Sequence, residues 1–217
     1  MQKIHIITIF PNSFKSYFES SIIGKAREKG LLDINLYKLN DFSTKKFKHV
    51  DDKAFGTHGQ VISPEPLSKA INHIFKKAGK KIPVIYMTPT GILLNQKKVE
   101  TLSKKLKEFI IICGHYEGID QRIIDLYVDY KISIGKYVLT SGELSSMVFI
   151  DSIARFIPDV LGNPLSLEEE SFSKKLFGKK EFPHYTRPRN FLGLEVPNVL
   201  LSGNHKEIED WKKNNLT

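Results

Sequence analysis

The chain has 217 residues, enough for one sizeable core or for one domain with a small appendage. Its hydrophobic share of 41% and charged share of 26% are those of an ordinary globular protein. No apolar run approaches a membrane span, and the single cysteine, Cys113, excludes an intramolecular disulfide and a multi-cysteine metal site. The net charge of +9, mostly lysine, leaves two readings open: a solvated lysine-rich surface, or a polyanionic partner such as nucleic acid.

The opening "MQKIHIITIF" turns at Pro11 with no small-residue cleavage site after it, so residues 3–9 read as a first strand rather than a signal peptide, and the cytoplasm is the expected location. Asn12 or Ser13 is positioned to cap one helix whose apolar face is Phe14, Tyr17, Phe18, Ile22 and Ala26, ending before Gly30. Residues 32–37 read as a second strand, and Ser63-Pro64 opens a helix with Leu67, Ile71 and Ile74 on one face. "IPVIYM" (82–87) and "FIIIC" (109–113) are continuous apolar runs, as expected of strands buried on both faces. A helix over 95–107 lies between them; a short helix over 119–129, a strand in "YKISIG" and an apolar helix over 143–157 follow. Such alternation predicts an α/β fold with a parallel sheet covered on both faces. The first strand leads into "FPNSFKS" and not into a glycine fingerprint, which argues against a Rossmann dinucleotide site.

Glycine-bearing corners follow three later strands: "MTPTG" (87–91), "ICGHYEGIDQR" (112–122) and "ISIGKYVLTSGEL" (132–144). Ligands of open α/β sheets sit outside the carboxyl ends of strands, so these corners are expected to surround one flat ligand. For "ICGHYEGIDQR" three readings stand side by side. Cys113, His115 and Glu117 alternate as metal ligands on a strand would, a tight turn suits Gly114 and Gly118, and a nucleoside cradle suits the glycines with their backbone groups. From 158 the pattern breaks into a Pro-rich, charged stretch. Within it "SLEEESF" (166–172) reads as a capping box from Ser166 to Glu169. "FPHYTRPR" (182–189), preceded by four lysines, mixes rings with cations as RNA-binding segments do, and a solvated lysine face accounts for it equally well. "SGNHKEIEDWKKN" reads as a helix capped by Asn204, and "KKFKHVDDKAFGTHG" (45–59) is a further basic stretch carrying Asp51 and Asp52.

Taken together, "ITIFPNSF", "VDDKAFG", "ICGHYEGIDQR", "ISIGKYVLTSGE", "IDSIARFIP", "ESF", "PHYTRP", "VPNVLLSGNH" and the last Trp211 stand in the order and near the spacing of one family. The chain resembles, along essentially its whole length, the bacterial tRNA (guanine-37 N1)-methyltransferases. The resemblance implies a parallel α/β sheet flanked by helices with a deep trefoil knot, of the SPOUT class. It implies S-adenosylmethionine as cofactor, tRNA as partner and a homodimer with sites at the interface, without membrane attachment. It further implies a knotted methyltransferase domain over 1–160, an interdomain linker over 161–190 that carries catalytic and RNA-facing residues, and a short, truncated C-terminal helical segment over 191–217.

Carried over position by position, the cofactor corners are Thr88 and Pro89; Gly114, Tyr116, Glu117 and Gly118; and Ile134, Gly135, Lys136, Tyr137, Val138, Leu139 and Gly142. Arg155 matches the family's cation on the guanine O6, and Glu170 falls at the position of its Asp base. The RNA-facing set is Asp51, Gly56, His58, Gly59, His184, Tyr185 and Arg187. No metal ligand is implied, and the residues leave participation of Mg²⁺ open. Four departures accompany the match. Glu170 carries one more methylene than Asp. Thr57 and His58 interrupt the family's glycine-rich loop, where one residue is also missing. His115, Lys136 and Ser141 replace Arg, Asp and Gly. The chain ends six residues after Trp211, where family members continue into a helical tRNA-gripping domain, so weaker RNA binding is expected. These departures keep two alternatives in view: a relative that binds RNA or a nucleoside without turnover, and a methyltransferase with a shifted RNA target.

Overall fold

The computed structural model describes residues 1–56 and 58–217. The chain divides into two compact units, Met1–Leu161 and Gly162–Thr217. In chain order the first unit runs β1 (Gln2–Thr8), α1 (Lys15–Phe18), α2 (Ser21–Glu28), β2 (Leu32–Lys38), β3 (Asp51–Lys53), β4 (Gln60–Ile62) and α3 (Pro64–Ala78). It continues with β5 (Val84–Leu93), α4 (Gln96–Lys105), β6 (Glu108–Cys113), α5 (Gln121–Tyr127), β7 (Tyr130–Ser133) and α6 (Gly142–Ala154).

Five of these strands form one sheet in the order β2-β1-β6-β5-β7. Every pairing in it is parallel, with Ile6 opposite Ile111 and Ile111 opposite Ile85 at its centre. Side chains alternate along each strand, so the unbroken Ile-rich runs feed two cores at once. Ile4, Ile6, Ile85, Met87, Phe109, Ile111 and Cys113 point to one face and meet Phe14, Phe18, Val99, Phe149, Ile150 and Ile153. Ile7, Val84, Tyr86, Ile110 and Ile112 point to the other and meet Leu67, Ile71, Ile74 and Ile123. Fully buried side chains of this size contribute about 1.5–3 kcal/mol each, which makes the sheet the rigid frame on which the loops stand.

Four local expectations are corrected. The single helix after the first strand is broken into a 3₁₀ turn (Pro11–Phe14), α1 and α2. A bend at Ser20-Ser21 brings α2 so close that a Cβ on Gly24 would lie 2.8 Å from the Glu19 carbonyl carbon. In consequence Ile23 is buried while Tyr17 and Ile22 are exposed. Neither Asn12 nor Ser13 caps this segment; Phe10 precedes it without a side-chain bond. "MTPTG" is not a corner after a strand but the middle of one: β5 runs on to Leu93, with its pairing to β7 shifted between Met87 and Ile92. Pro89 is tolerated because that bulge takes it out of the ladder. "SLEEESF" forms no capped helix, since Ser166 lies inside a 3₁₀ turn (Pro164–Leu167) and turns follow it.

In the second unit β8 (Asn190–Phe191) and β9 (Leu194–Glu195) form a small hairpin, followed by α7 (Asn198–Leu201) and α8 (His205–Asn214). Asn204 caps α8 as its sequence predicts, accepting from the amides of Lys206 and Glu207. Rings of Phe182 and Tyr185 each pack 6.3 Å from Trp211, and Lys212 stands 5.1 Å from the Phe182 ring centre. Among the described residues no helix is long and apolar enough to cross a membrane.

One buried ionisable side chain on β1 links the fold to pH. His5 is 1% exposed, with Nδ1 3.2 Å from the Tyr37 hydroxyl and Nε2 3.2 Å from Glu108 Oε1. Burial pushes the imidazole below its ordinary value of 6.5, outweighing the pull of Glu108. Below that value the unfolded chain takes up a proton that the folded chain refuses, so His5 makes stability fall as pH drops. Denaturant titrations of wild type and His5→Gln from about pH 7 to about pH 5 should show a shallower loss in the variant; equal slopes would remove His5 from the account.

Candidate active site

The bulged middle of β5 and the carboxyl ends of β6 and β7 border a cavity of about 280 Å³. Thr88 and Pro89 line it from the bulge of β5; Gly114, Tyr116, Glu117 and Gly118 line it from the loop after β6. Ile134, Gly135, Tyr137, Val138, Leu139 and Gly142 line it from the loop after β7 and the first residue of α6. Lys136 belongs to that last loop but does not line the cavity. Tyr86, Thr90, Ser133 and Ser145 also line it and escape the sequence reading. The one signal for Tyr86 was a phenol inside an otherwise apolar strand.

The loops are held by close backbone packing. The Gly142 amide donates to the Gly114 carbonyl at 2.9 Å, and a Cβ on Gly142 would lie 2.7 Å from Cys113 Cα. The Ser145 and Ser146 hydroxyls donate back to the Gly142 carbonyl at 2.9 and 2.7 Å, closing the first turn of α6. Gly91 has the same role on β5, because a Cβ there would lie 2.5 Å from the Ile132 nitrogen. Gly114 and Gly118 make room for the Tyr86 ring and hydroxyl, which a Cβ would meet at 3.0 and 3.2 Å. Burial pushes the Tyr86 phenol up while its contacts with Thr88 and the Ile119 backbone oppose that. Burial also pushes the Cys113 thiol up, and its sulfur sits 3.2 Å from the Ser146 hydroxyl, so it is a packed core group rather than a nucleophile.

The expected RNA-facing loop is fastened to the same wall. β3 and β4 pair antiparallel, and the loop between them carries Gly56, His58 and Gly59, with Asp51 at the base; Thr57 lies outside the described residues. The Glu117 amide donates to Gln60, the Ile62 amide to Gly118 and the Asp120 amide to Ile62, at 3.0–3.1 Å. Gly59 adopts φ +96°, and a Cβ there would lie 2.7 Å from Glu117 Cγ. The hairpin and the cavity loop therefore share one backbone ladder. Lys45 ties the base of the hairpin, reaching Asp52 Oδ2 and the Asp51 carbonyl, each at 2.9 Å.

Arg155 ends α6 in right-handed helical geometry, along a groove lined by Tyr17, Asp151 and Ser152. The Tyr17 hydroxyl donates to Asp151, and burial together with that carboxylate pushes the phenol up to about 12. Glu170 belongs to the second unit, where a cleft is lined by Glu168, Glu169, Glu170, Lys175, Glu181 and His184. Glu169 is paired to Lys175 at 2.6 Å and to Lys212 at 3.4 Å. His184 Nε2 stands 3.1 Å from Glu181 Oε2, Tyr185 packs on Trp211, and Arg187 precedes Pro188 in an exposed coil.

The chain that builds this cavity is similar to known proteins along nearly its whole length. The sequence profile of tRNA (guanine-1)-methyltransferase TrmD matches residues 2–217. A tRNA (guanine-N(1)-)-methyltransferase of Clostridioides difficile is 50% identical over 213 residues, which cover 97% of this chain and 90% of that one. Its counterpart from Carboxydothermus hydrogenoformans is 51% identical over 212 residues, 97% of this chain and 81% of that one. The crystal structure of tRNA (m1G37) methyltransferase from Aquifex aeolicus superposes with a TM-score of 0.80 at 38% identity, covering 98% of this chain and 88% of that one. The chain belongs to the tRNA (guanine-1)-methyltransferase family.

Proposed function

We propose that the protein methylates N1 of the guanine at position 37 of tRNA, with S-adenosylmethionine as donor. The reading is carried by the convergence of three segments on one cavity in a chain half-identical to a protein named tRNA (guanine-N(1)-)-methyltransferase. The cavity fits the donor. Ile134, Val138 and Leu139 offer apolar surface, Thr88 and Tyr116 offer hydroxyls, and the glycines at 114, 118, 135 and 142 bring backbone to its edge. When bound there, S-adenosylmethionine supplies an electrophilic methyl group on a sulfonium. Among the described residues no group of three or more His, Cys, Asp or Glu side chains is placed to hold a metal ion.

The chain's own groups would act on the guanine. N1 holds a proton near neutral pH, so a base must accept it as the carbon–nitrogen bond forms, and we assign this to the Glu170 carboxylate. Negative charge grows on O6 at the same moment, and we assign its stabilisation to the Arg155 guanidinium. Asp51, Gly56, His58 and Gly59 would meet the target nucleotide, and His184, Tyr185 and Arg187 would meet the RNA strand through ring and cation. The cytoplasm, where tRNA is matured, is the proposed location.

The same reading includes a trefoil knot formed by the cavity loops and a homodimer. The dimer is supported by α6, which is apolar on both sides. Phe149, Ile150 and Ile153 face the core, while Leu144 and Val148 remain 57% and 48% exposed, with Phe10 and Ile22 also exposed. Unpartnered apolar surface of this kind marks an interface.

Purified protein with labelled S-adenosylmethionine should methylate tRNA carrying guanine at positions 36 and 37 and leave a transcript without guanine 37 unlabelled; label elsewhere in a tRNA pool would redirect the substrate assignment. Glu170→Gln should lower kcat by about 10²–10⁴-fold and leave cofactor binding intact, whereas unchanged turnover would remove Glu170 as the base. Glu170→Asp tests the methylene. A rate at or above wild type would mean that Asp reaches N1 as well, and a drop would show a site fitted to Glu. Leu144→Glu with Val148→Glu should convert the sedimenting species to a monomer; a dimer that persists would place the interface elsewhere.

A further inference from the structure

Glu143 is a charged residue where none is needed for packing. It sits in the first turn of α6 and is 3% exposed. Its Oε1 accepts from the Thr8 hydroxyl at 2.6 Å, and Thr8 in turn accepts from the Phe10 amide at 2.9 Å. Its Oε2 is buried without a hydrogen bond among the described residues, and so is His115 Nε2, 3.4 Å away. The His115 ring is wedged by Phe10 and Tyr116, at 5.1 and 5.8 Å between centres. His115 belongs to the cavity loop, and Thr8 to the carboxyl end of β1.

A half-satisfied carboxyl in a core is a poor stabiliser, since an apolar side chain of the same volume would serve as well or better. The first turn of a helix favours its negative charge. The gap to His115 is a few tenths of an ångström beyond a charge-assisted hydrogen bond. A small inward movement of the 114–118 loop would therefore complete the chain Thr8–Glu143–His115. We propose that Glu143 is a positioning residue, which locks the cavity loop against β1 and α6 through His115 when the cofactor is held. The inference rests on the cofactor reading of the cavity. It gives the histidine at this position a use: a ring that reaches a buried carboxyl, in place of a longer cation.

The test is a double-mutant cycle on S-adenosylmethionine affinity, measured by calorimetry on wild type, Glu143→Gln, His115→Gln and the double variant, with melting temperature recorded for each. Each single change should weaken binding by about tenfold, and the double should be no weaker than the worse single, because both remove one interaction. Melting temperatures should not follow the affinity losses, and KM for the cofactor should rise more than kcat falls. His115→Arg should retain the affinity, since a guanidinium reaches the same carboxyl. Additive losses, unchanged affinity, or affinity that tracks melting temperature would overturn the proposal. If Glu143→Gln does not fold, His115→Gln against His115→Arg decides it, because that side chain is 18% exposed and not part of the core. Wild type that fails to bind would overturn the cofactor reading and this inference together; binding by wild type with additive variants would overturn this inference alone.

Discussion

The contact between Gly142 and the Cys113–Gly114 backbone is the constraint on which the site depends. It sets the start of α6 directly on the carboxyl end of β6, at a distance that leaves no room for a side chain. One amide-to-carbonyl bond there joins two of the loops that bound the cavity. Because β6 sits between β1 and β5 in the sheet, everything that leans on its end is registered to the most buried strands of the fold. A cavity built this way is shaped by main chain whose anchor points are set by the sheet.

The third loop is placed by a different means. β5 continues beyond Met87 by slipping its pairing with β7, so that Ile132 faces first Met87 and then Ile92. The segment between them, Thr88 to Gly91, is squeezed out toward the cavity, with the Thr88 and Thr90 hydroxyls 3.1 Å apart. Bulges re-aim side chains where regular pairing cannot, and this one turns a strand interior into a cavity wall.

The β3–β4 hairpin extends the logic outward. It carries few apolar residues of its own and takes its position from three backbone bonds to the loop after β6. The segment proposed to meet the nucleotide and the wall proposed to meet the cofactor are thus two sides of one ladder, so an adjustment at either is felt at the other. Lysines stand in and around it: Lys53 ends β3, Lys45 is engaged with Asp51 and Asp52, and Lys46 lies over the exposed Phe47 ring. Part of the positive charge is thus spent locally, as a clamp on the base of the hairpin.

The sequence by itself determined the frame. Runs such as "FIIIC" and "IPVIYM" specify doubly buried strands because burial on both faces demands apolar residues at every position, and the helices between them follow from their period. Two of the three corners that line the cavity, those after β6 and β7, were legible because glycine after a buried strand marks a place where backbone is approached; the third, "MTPTG", is a bulge inside β5. What the sequence could not carry was geometry that depends on neighbours distant in the chain. The break between α1 and α2 falls at Ser20-Ser21, where α2 folds back onto Glu19 through Gly24, and the extension of β5 comes from its slipped partner, β7. The capping box at 166–169 had correct local chemistry and lost to the turns of the second unit. Thr8, Glu143 and His115 meet across more than a hundred residues of chain, from three different elements. Local patterns encode period and propensity; a buried polar contact of that span is decided only when the sheet brings its strand ends together.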